Sequence, residues 1–565
     1  GGELKVAAVE NLALQLDRTQ ALDYPAEDEP WRFYGYLPHS HKGSFGETYT
    51  AVRLEPGFER EHPMAEDVQE QEQCCGVPLF DFWCPETGLA IAHLSERQIP
   101  VRFPVSVTGE GVRVSCRDAR QPAISAGMPY HSPPMALIVH RLDFFDAAAR
   151  FRELMAARGV GMAAAPEAAH EPVWSTWGYG ATFTKADVLD ALPILKRLGI
   201  RWIQFDDPWY SDHGDMTVNA GIFPGGAKEL ADFIGELKEK GFRVRLWACS
   251  GHATSNSPYA RTHPERMIRS ADGAIREIHS AGLMSGAAEY EMCPCVPENR
   301  RFAAVIVERM FREYGAEAIY QDGIYGCPEC HDGSHGHSSP LETGPAHAEM
   351  FREIYGKVME LSGGKAVVML CQCGKAPDFH ILPFFNRVAT ADPMPVHVRK
   401  RVKSFKALLG GGAVVDYDFV ENSLNDFAGC IGTGAAIYVK FSTPMDERLL
   451  AHYEKWLAIA REHDLVRGEY LNLYDIVHDY PEAHAVRRNG RIYYAFYASR
   501  WAGDFETPFT GSVRLRGLSD GTAYRVHDYV NGRDMGVVVG PEGAMRVDFC
   551  GSLLIYAEPC GTGGG

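Results

Sequence analysis

The sequence predicts an α/β fold: a (β/α)8 TIM barrel flanked by an N-terminal β-rich domain and a C-terminal antiparallel β-sandwich. Three observations carry this. Between residues 166 and 464, eight short apolar runs alternate with amphipathic helical stretches, the rhythm of a parallel barrel. On either side, residues 1–165 and 465–560 show period-two alternation broken by Gly and Pro, the mark of antiparallel strands. No G-x-G-x-x-G follows the first barrel run and no P-loop is present, which argues against a doubly wound open sheet.

Taken in order, the first domain reads as sandwich-like. Residues 101–107 and 111–116 alternate apolar and polar side chains, as strands with one wet face do. A helix over 143–159 gathers Phe144, Phe145, Ala148, Phe151, Leu154 and Met155 on one face, and Ala163-Ala164-Ala165-Pro166 reads as a linker. The barrel strands are expected at 173–177, 202–206, 244–247, 318–322, 367–371, 387–390, 413–416 and 436–440. Helices are expected at 185–198, 227–240, 298–314, 346–361, 396–409 and 446–462, with Thr184 as an N-cap and Gly199 and Gly241 as stops. In the last domain, 491–497, 511–515 and 552–556 read as strands.

Composition narrows the function. Lys and Arg number 56 against 74 Asp and Glu, a formal net charge of −18. Such a chain repels phosphate backbones and anionic lipid, so neither nucleic acid nor a membrane is an expected partner. No run approaches the ~20 apolar residues of a membrane span. With no apolar leader among the first residues, a cytoplasmic location is favoured. A homo-oligomer is compatible with the fold. The 14 Cys are too sparse for a disulfide scaffold. Nine Trp and 25 Tyr suit a protein that stacks sugars.

In such barrels the strand C-termini carry the site. Trp174 and Trp177 stand near the first strand end, Asp206-Asp207-Pro208-Trp209 at the second, and Trp247 at the third. Asp322 ends the fourth strand, Cys371-Gln372-Cys373-Gly374 the fifth, Asp392 the sixth, and Asp416 and Asp418 the seventh. A ring of carboxylates and aromatic faces suits a small polyhydroxylated ligand, a carbohydrate, because carboxylates accept hydroxyl protons and aromatic planes cover C–H faces. Asp322 and Asp392 lie on opposite strands and form the pair needed to break an acetal: one acid protonates the leaving oxygen, and the other attacks or stabilises the cationic centre. Asp416 and Asp418 are expected to be structural. The long stretch from 249 to 295 reads as a lid or binding loop in which His252 and His263 are surface polar residues.

Ile203-Gln204-Phe205-Asp206-Asp207-Pro208-Trp209, then Phe223-Pro224-Gly225-Gly226, then Val244-Arg245-Leu246-Trp247 resemble the α-galactosidase barrel of glycoside hydrolase family 36 and its clan. The resemblance implies a retaining α-glycosidase with Asp322 as nucleophile and Asp392, in Thr390-Ala391-Asp392-Pro393, as acid/base. It implies that Asp206, Asp207 and Trp247 hold the sugar, with Trp174, Trp177, Trp209, Tyr320 and Cys371 as further substrate-binding candidates. Two positions depart from the pattern. Tyr320 stands where the family has Lys two residues before the nucleophile, and the fifth-strand loop reads Cys-Gln-Cys-Gly-Lys. Loss of that cation predicts altered substrate recognition and a nucleophile pKa less depressed than usual.

Cys293 and Cys295 follow the third strand, Cys327, Cys330, His331, His335 and His337 the fourth, and Cys371 and Cys373 end the fifth. Their array suits free thiols lining the pocket, a disulfide joining the loops, or a structural zinc held by residues such as Cys293, Cys327, Cys330, His335, His337, Cys371 and Cys373. No cofactor is expected for the hydrolysis itself. Two other readings stay open: a metal-dependent carbohydrate-active enzyme centred on this cluster, and a transglycosidase or non-catalytic sugar-binding relative.

Overall fold

The computed structural model describes residues 4–5, 9–17, 34–36, 51–62, 76–84, 87–118, 123–124, 129–278, 287–323, 328–371, 378–391, 395–420 and 426–560. At its centre is a closed parallel barrel of eight strands. These are β1 (Val173–Ser175), β2 (Trp202–Phe205), β3 (Arg243–Ala248), β4 (Ala318–Gln321), β5 (Val367–Leu370), β6 (Arg387–Ala389), β7 (Val415–Val420) and β8 (Ala436–Val439). Each pairs with the next, and β8 closes on β1 through Val173 opposite Tyr438. All eight fall within or overlap the apolar runs that predict them.

The helices are α1 (Lys185–Leu198), α2 (Gly226–Glu239), α3 (Pro297–Arg312), α4 (Thr343–Ser362), α5 (Val398–Leu409), α6 (Phe427–Gly432) and α7 (Glu447–His463). The predicted start of α1 is a capping box: Thr184 and Asp187 satisfy each other's backbone N–H groups. Its stop is Gly199 at φ 71°, a left-handed position that costs a glycine little. Between β5 and β6 the described residues contain one short 3₁₀ turn, Leu382–Phe384, in place of a helix. Outward-facing strand residues pack under the helices, as Phe205 does against Phe223 and Phe233.

The N-terminal region forms a sandwich. A five-stranded sheet (Leu79–Trp83 and Gly88–His93 among its strands) faces a four-stranded one that includes Val101–Val107 and Gly111–Asp118. Phe80, Phe82 and Ile91 from one sheet meet Phe103, Val105 and Val114 from the other in one buried cluster. The C-terminal region has a six-stranded and a two-stranded antiparallel sheet sharing Tyr494, Phe496, Val513, Val526 and Val547. Buried polar contacts tie the N-terminal region to the barrel and to the C-terminal region. Asp143, at the head of the helix Phe144–Ala157, pairs with Lys403 of α5, and the Trp83 indole donates to Asp475 at 2.9 Å. Among the described residues, no helix is long and apolar enough to cross a membrane.

Candidate active site

Side chains alternate along a strand, so each barrel strand sends every second residue inward. The lower inward layer is charged. Arg245 of β3 donates to Gln204 of β2 at 2.6 Å and approaches Asp416 of β7 at 3.7 Å. Its guanidinium lies 5.3 Å from the Tyr320 ring and 5.6 Å from that of Tyr438. Arg387 of β6 donates to Asp416 at 2.5 Å and to the carbonyls of Ala169 and Glu171 at 2.8 and 3.0 Å. Asp416 is therefore the shared anion of two buried arginines. Tyr320, directly above, is closed off from solvent, and burial raises its hydroxyl pKa well above the usual value, so it stays neutral.

One inward step higher lies the mouth. Asp206, just past β2, is buried and accepts from Ser175 of β1 at 2.8 Å, from Gln204, and from the Tyr438 hydroxyl at 3.3 Å. Burial pushes its pKa up to about 6; the Ser175 and Gln204 donors oppose the shift and the charge of Asp322 adds to it. Asp207 is also raised by burial, against a hydrogen bond from Tyr210. Its Oδ1 is buried with no hydrogen-bond partner. Asp322 is held at both oxygens: the Trp247 indole donates to Oδ2 at 2.9 Å and the Gly323 amide to Oδ1 at 2.6 Å. The Trp247 ring stacks on Tyr210 (5.0 Å, 18°) and His213 (5.4 Å, 26°), which fixes the donor. Three carboxylates, two past β2 and one past β4 with β3 between them, one gripped by fixed donors, can bind hydroxyl or ammonium groups and present a nucleophile to an acetal carbon.

A family model described as "Domain of unknown function (DUF6259)" matches residues 130–392. The structure superposes on a family 36 α-galactosidase of Geobacillus stearothermophilus in complex with raffinose, with a TM-score of 0.67 at 13% identity, over 94% of this chain and 75% of that one. The chain has the barrel fold of that enzyme. A variant of that enzyme in complex with stachyose gives a TM-score of 0.68 at 13% identity, over 99% and 78% of the two chains. In sequence, the chain is 28% identical over 551 residues to the A type blood α-D-galactosamine galactosaminidase of Flavonifractor plautii. That match covers 94% of this chain and 49% of the relative, so the chain spans about half of that protein's length.

Within this barrel, Asp206, Asp207, Trp247 and Asp322 come together. Asp392 lies outside the described residues, as do Cys327 and Cys373. Two tryptophans need correcting. Trp174 is fully buried, donates to the Phe441 carbonyl at 2.9 Å, and packs against that ring; it points outward because Ser175, its neighbour, takes the inward position. Trp209 is likewise buried, donates to the Trp247 carbonyl at 2.9 Å, and braces that residue rather than a ligand. Trp177 is 41% exposed on the turn after β1 and remains free to meet a ligand. Cys371 ends β5 beside Tyr320, where its amide donates to the Gln321 carbonyl at 2.8 Å, apart from the Cys/His group of the neighbouring loops.

The sequence reading missed Lys440. It follows β8, is nearly buried, and sits 2.5 Å from Asp418 and 5.4 Å from the Tyr438 ring. Its charge works against the rise in Asp206. A lysine ending the eighth predicted strand was the available signal. His252 is also no surface residue. Glu289 accepts from both His213 and His252, the latter at 3.0 Å, and Tyr210 meets His213 at 2.9 Å. Burial opposes the charge on Glu289, but the two imidazoles outweigh it and hold its pKa down to about 2. His213, Cys249, His252 and Glu289 bring their ligand atoms within 4.8 Å of one another, a spacing that fits a metal, yet hydrogen bonds already join these groups.

Proposed function

We propose that this chain is a retaining α-glycosidase acting on galacto-configured α-glycosides, with the 2-amino sugar of an α-D-galactosaminide as its preferred glycone. The observation that carries the reading is the grip of Trp247 and Gly323 on Asp322 beside the unpartnered Oδ1 of Asp207. In the first half-reaction the Asp322 carboxylate bonds to the anomeric carbon. The glycosidic C–O bond breaks, and Asp392 gives its proton to the leaving oxygen. In the second, Asp392 takes a proton from water as water attacks the same carbon and Asp322 departs as a carboxylate.

The amino-sugar preference follows from charge. Where the family pattern has lysine, this chain has a neutral tyrosine, so the mouth offers an ammonium three carboxylates against one nearby lysine, Lys440, instead of two. A carboxylate about 4 Å from an ammonium attracts it by on the order of 4 kcal/mol at an effective dielectric near 20. A lysine there would cancel much of that. The sequence relative that acts on α-D-galactosamine agrees with this direction.

The test compares aryl α-galactoside, α-galactosaminide and N-acetyl-α-galactosaminide. The galactosaminide is expected to give the highest kcat/KM; a preference for galactoside would overturn the amino-sugar assignment alone. Asp322→Gly is expected to lose turnover and to regain it with azide, yielding the β-glycosyl azide. Full activity in Asp322→Ala would overturn the mechanism.

A further inference from the structure

The long loop after β3 and the loop after β4 meet where Cys293, Cys330, His335 and His337 converge. Their four ligand atoms all lie within 4.8 Å of one another. Tetrahedral zinc, with Zn–S of about 2.3 Å and Zn–N of about 2.0 Å, sets its ligand atoms roughly 3.3–3.8 Å apart, so the group needs only a small contraction. Cys330 Sγ and His335 Nδ1 already stand at 3.2 Å.

The surroundings are those a metal site needs. His335 Nε2 donates to the Glu265 carbonyl at 2.6 Å, and the Asp332 carboxylate lies 3.5 Å away. That bond leaves the proton on Nε2 and turns the Nδ1 lone pair toward the sulfur, the outer-shell arrangement that orients a ligating histidine. The backbone amides of Arg269 and Asp332 face the Cys330 sulfur. His337 keeps a buried Nε2 with no hydrogen-bond partner. Ile268 and Val296 pack with the two cysteines and shield the group from water. In the His213–Glu289–His252 network, by contrast, one Glu289 oxygen already accepts from both imidazoles.

We propose that Cys293, Cys330, His335 and His337 bind one structural Zn²⁺. Four protein ligands leave no open position for chemistry, so the ion's role is to fasten the β3 loop to the β4 loop. Cys330 follows Asp322 by eight residues, so the clamp also limits how far the chain leaving Asp322 can wander. The assignment does not depend on the glycosidase reading.

The test is metal analysis of the purified full chain, followed by chelator stripping and refilling with Co²⁺. One zinc per chain is expected, together with the intense visible bands of tetrahedral thiolate-bound cobalt. Stripping is expected to lower Tm, and Cys330→Ser and His337→Ala are expected to lose both metal and bands, while Cys560→Ser, at an exposed site, keeps them. If the ligand variants fail to fold, the cobalt spectrum of the unmutated chain decides. Protein free of zinc that gives no thiolate–cobalt bands, or an intact mass showing a Cys293–Cys330 disulfide, would overturn the assignment. Lost turnover with zinc still bound would count against the proposed function and leave this site standing.

Discussion

Replacing Trp247 with phenylalanine isolates a single hydrogen bond. The stack on Tyr210 and His213 is largely kept, because the benzene ring fills most of the same slot. What disappears is the N–H that reaches Asp322 Oδ2 at 2.9 Å. A hydrogen bond to a charged group is worth about 1.5–3 kcal/mol. Each 1.36 kcal/mol is a factor of ten, so kcat should fall about 10- to 100-fold. The loss should not divide evenly between the half-reactions. A carboxylate without its donor is more basic, so it attacks adequately but leaves poorly, and release of the glycosyl group should slow most. Steady-state rates on aryl glycosides of graded leaving-group acidity would show this as a flattened dependence and a burst of phenol. Thermal melts would report any packing cost. A Trp247→Phe protein with kcat within twofold of wild type and no burst would show that this indole does not tune Asp322.

Three further outcomes follow from the same geometry. Asp206 carries its charge only above about pH 6 in the folded chain, so kcat/KM should fall as pH drops through that value, and Asp206→Asn should remove that limb while lowering activity. The same group binds a proton more tightly folded than unfolded, so it weakens the fold as pH rises from about 4 to 6; Asp206→Asn should therefore gain up to about 3 kcal/mol at pH 7, a gain that vanishes in acid. Denaturant titrations at pH 4 and pH 7 would read it. Lys440→Met should cost about 3–5 kcal/mol by stranding Asp418 without its cation. It should also move the acid limb of kcat/KM to higher pH, and Lys440→Met with Asp418→Asn should recover most of the stability.

The barrel was legible because its strands are short apolar runs and its helices carry local stop and start signals such as Thr184 and Gly199. Asp206, Asp207, Trp247 and Asp322 were legible because each ends such a run. The rest turned on parity, which a three- or four-residue strand records poorly. Ser175 and Trp174 are neighbours, and shifting the reading by one residue exchanges a ligand of Asp206 for a packing tryptophan. The pairing of Lys440 with Asp418 joins the seventh and eighth strands, and no local pattern announces it. His252 looked like a surface residue because nothing near it in sequence revealed Glu289, 37 positions away.

Arg245, Asp416 and Arg387 plug the base of this cylinder with ions rather than oil. Asp416 cannot be exchanged alone without leaving two uncompensated charges in a dry place. Random mutagenesis one position at a time should therefore return the parent residues there, and new specificities should emerge only at the rim. A redesigned, greasy plug would have to replace all three together with Gln204, and the reward would be a pocket whose depth is again open to change.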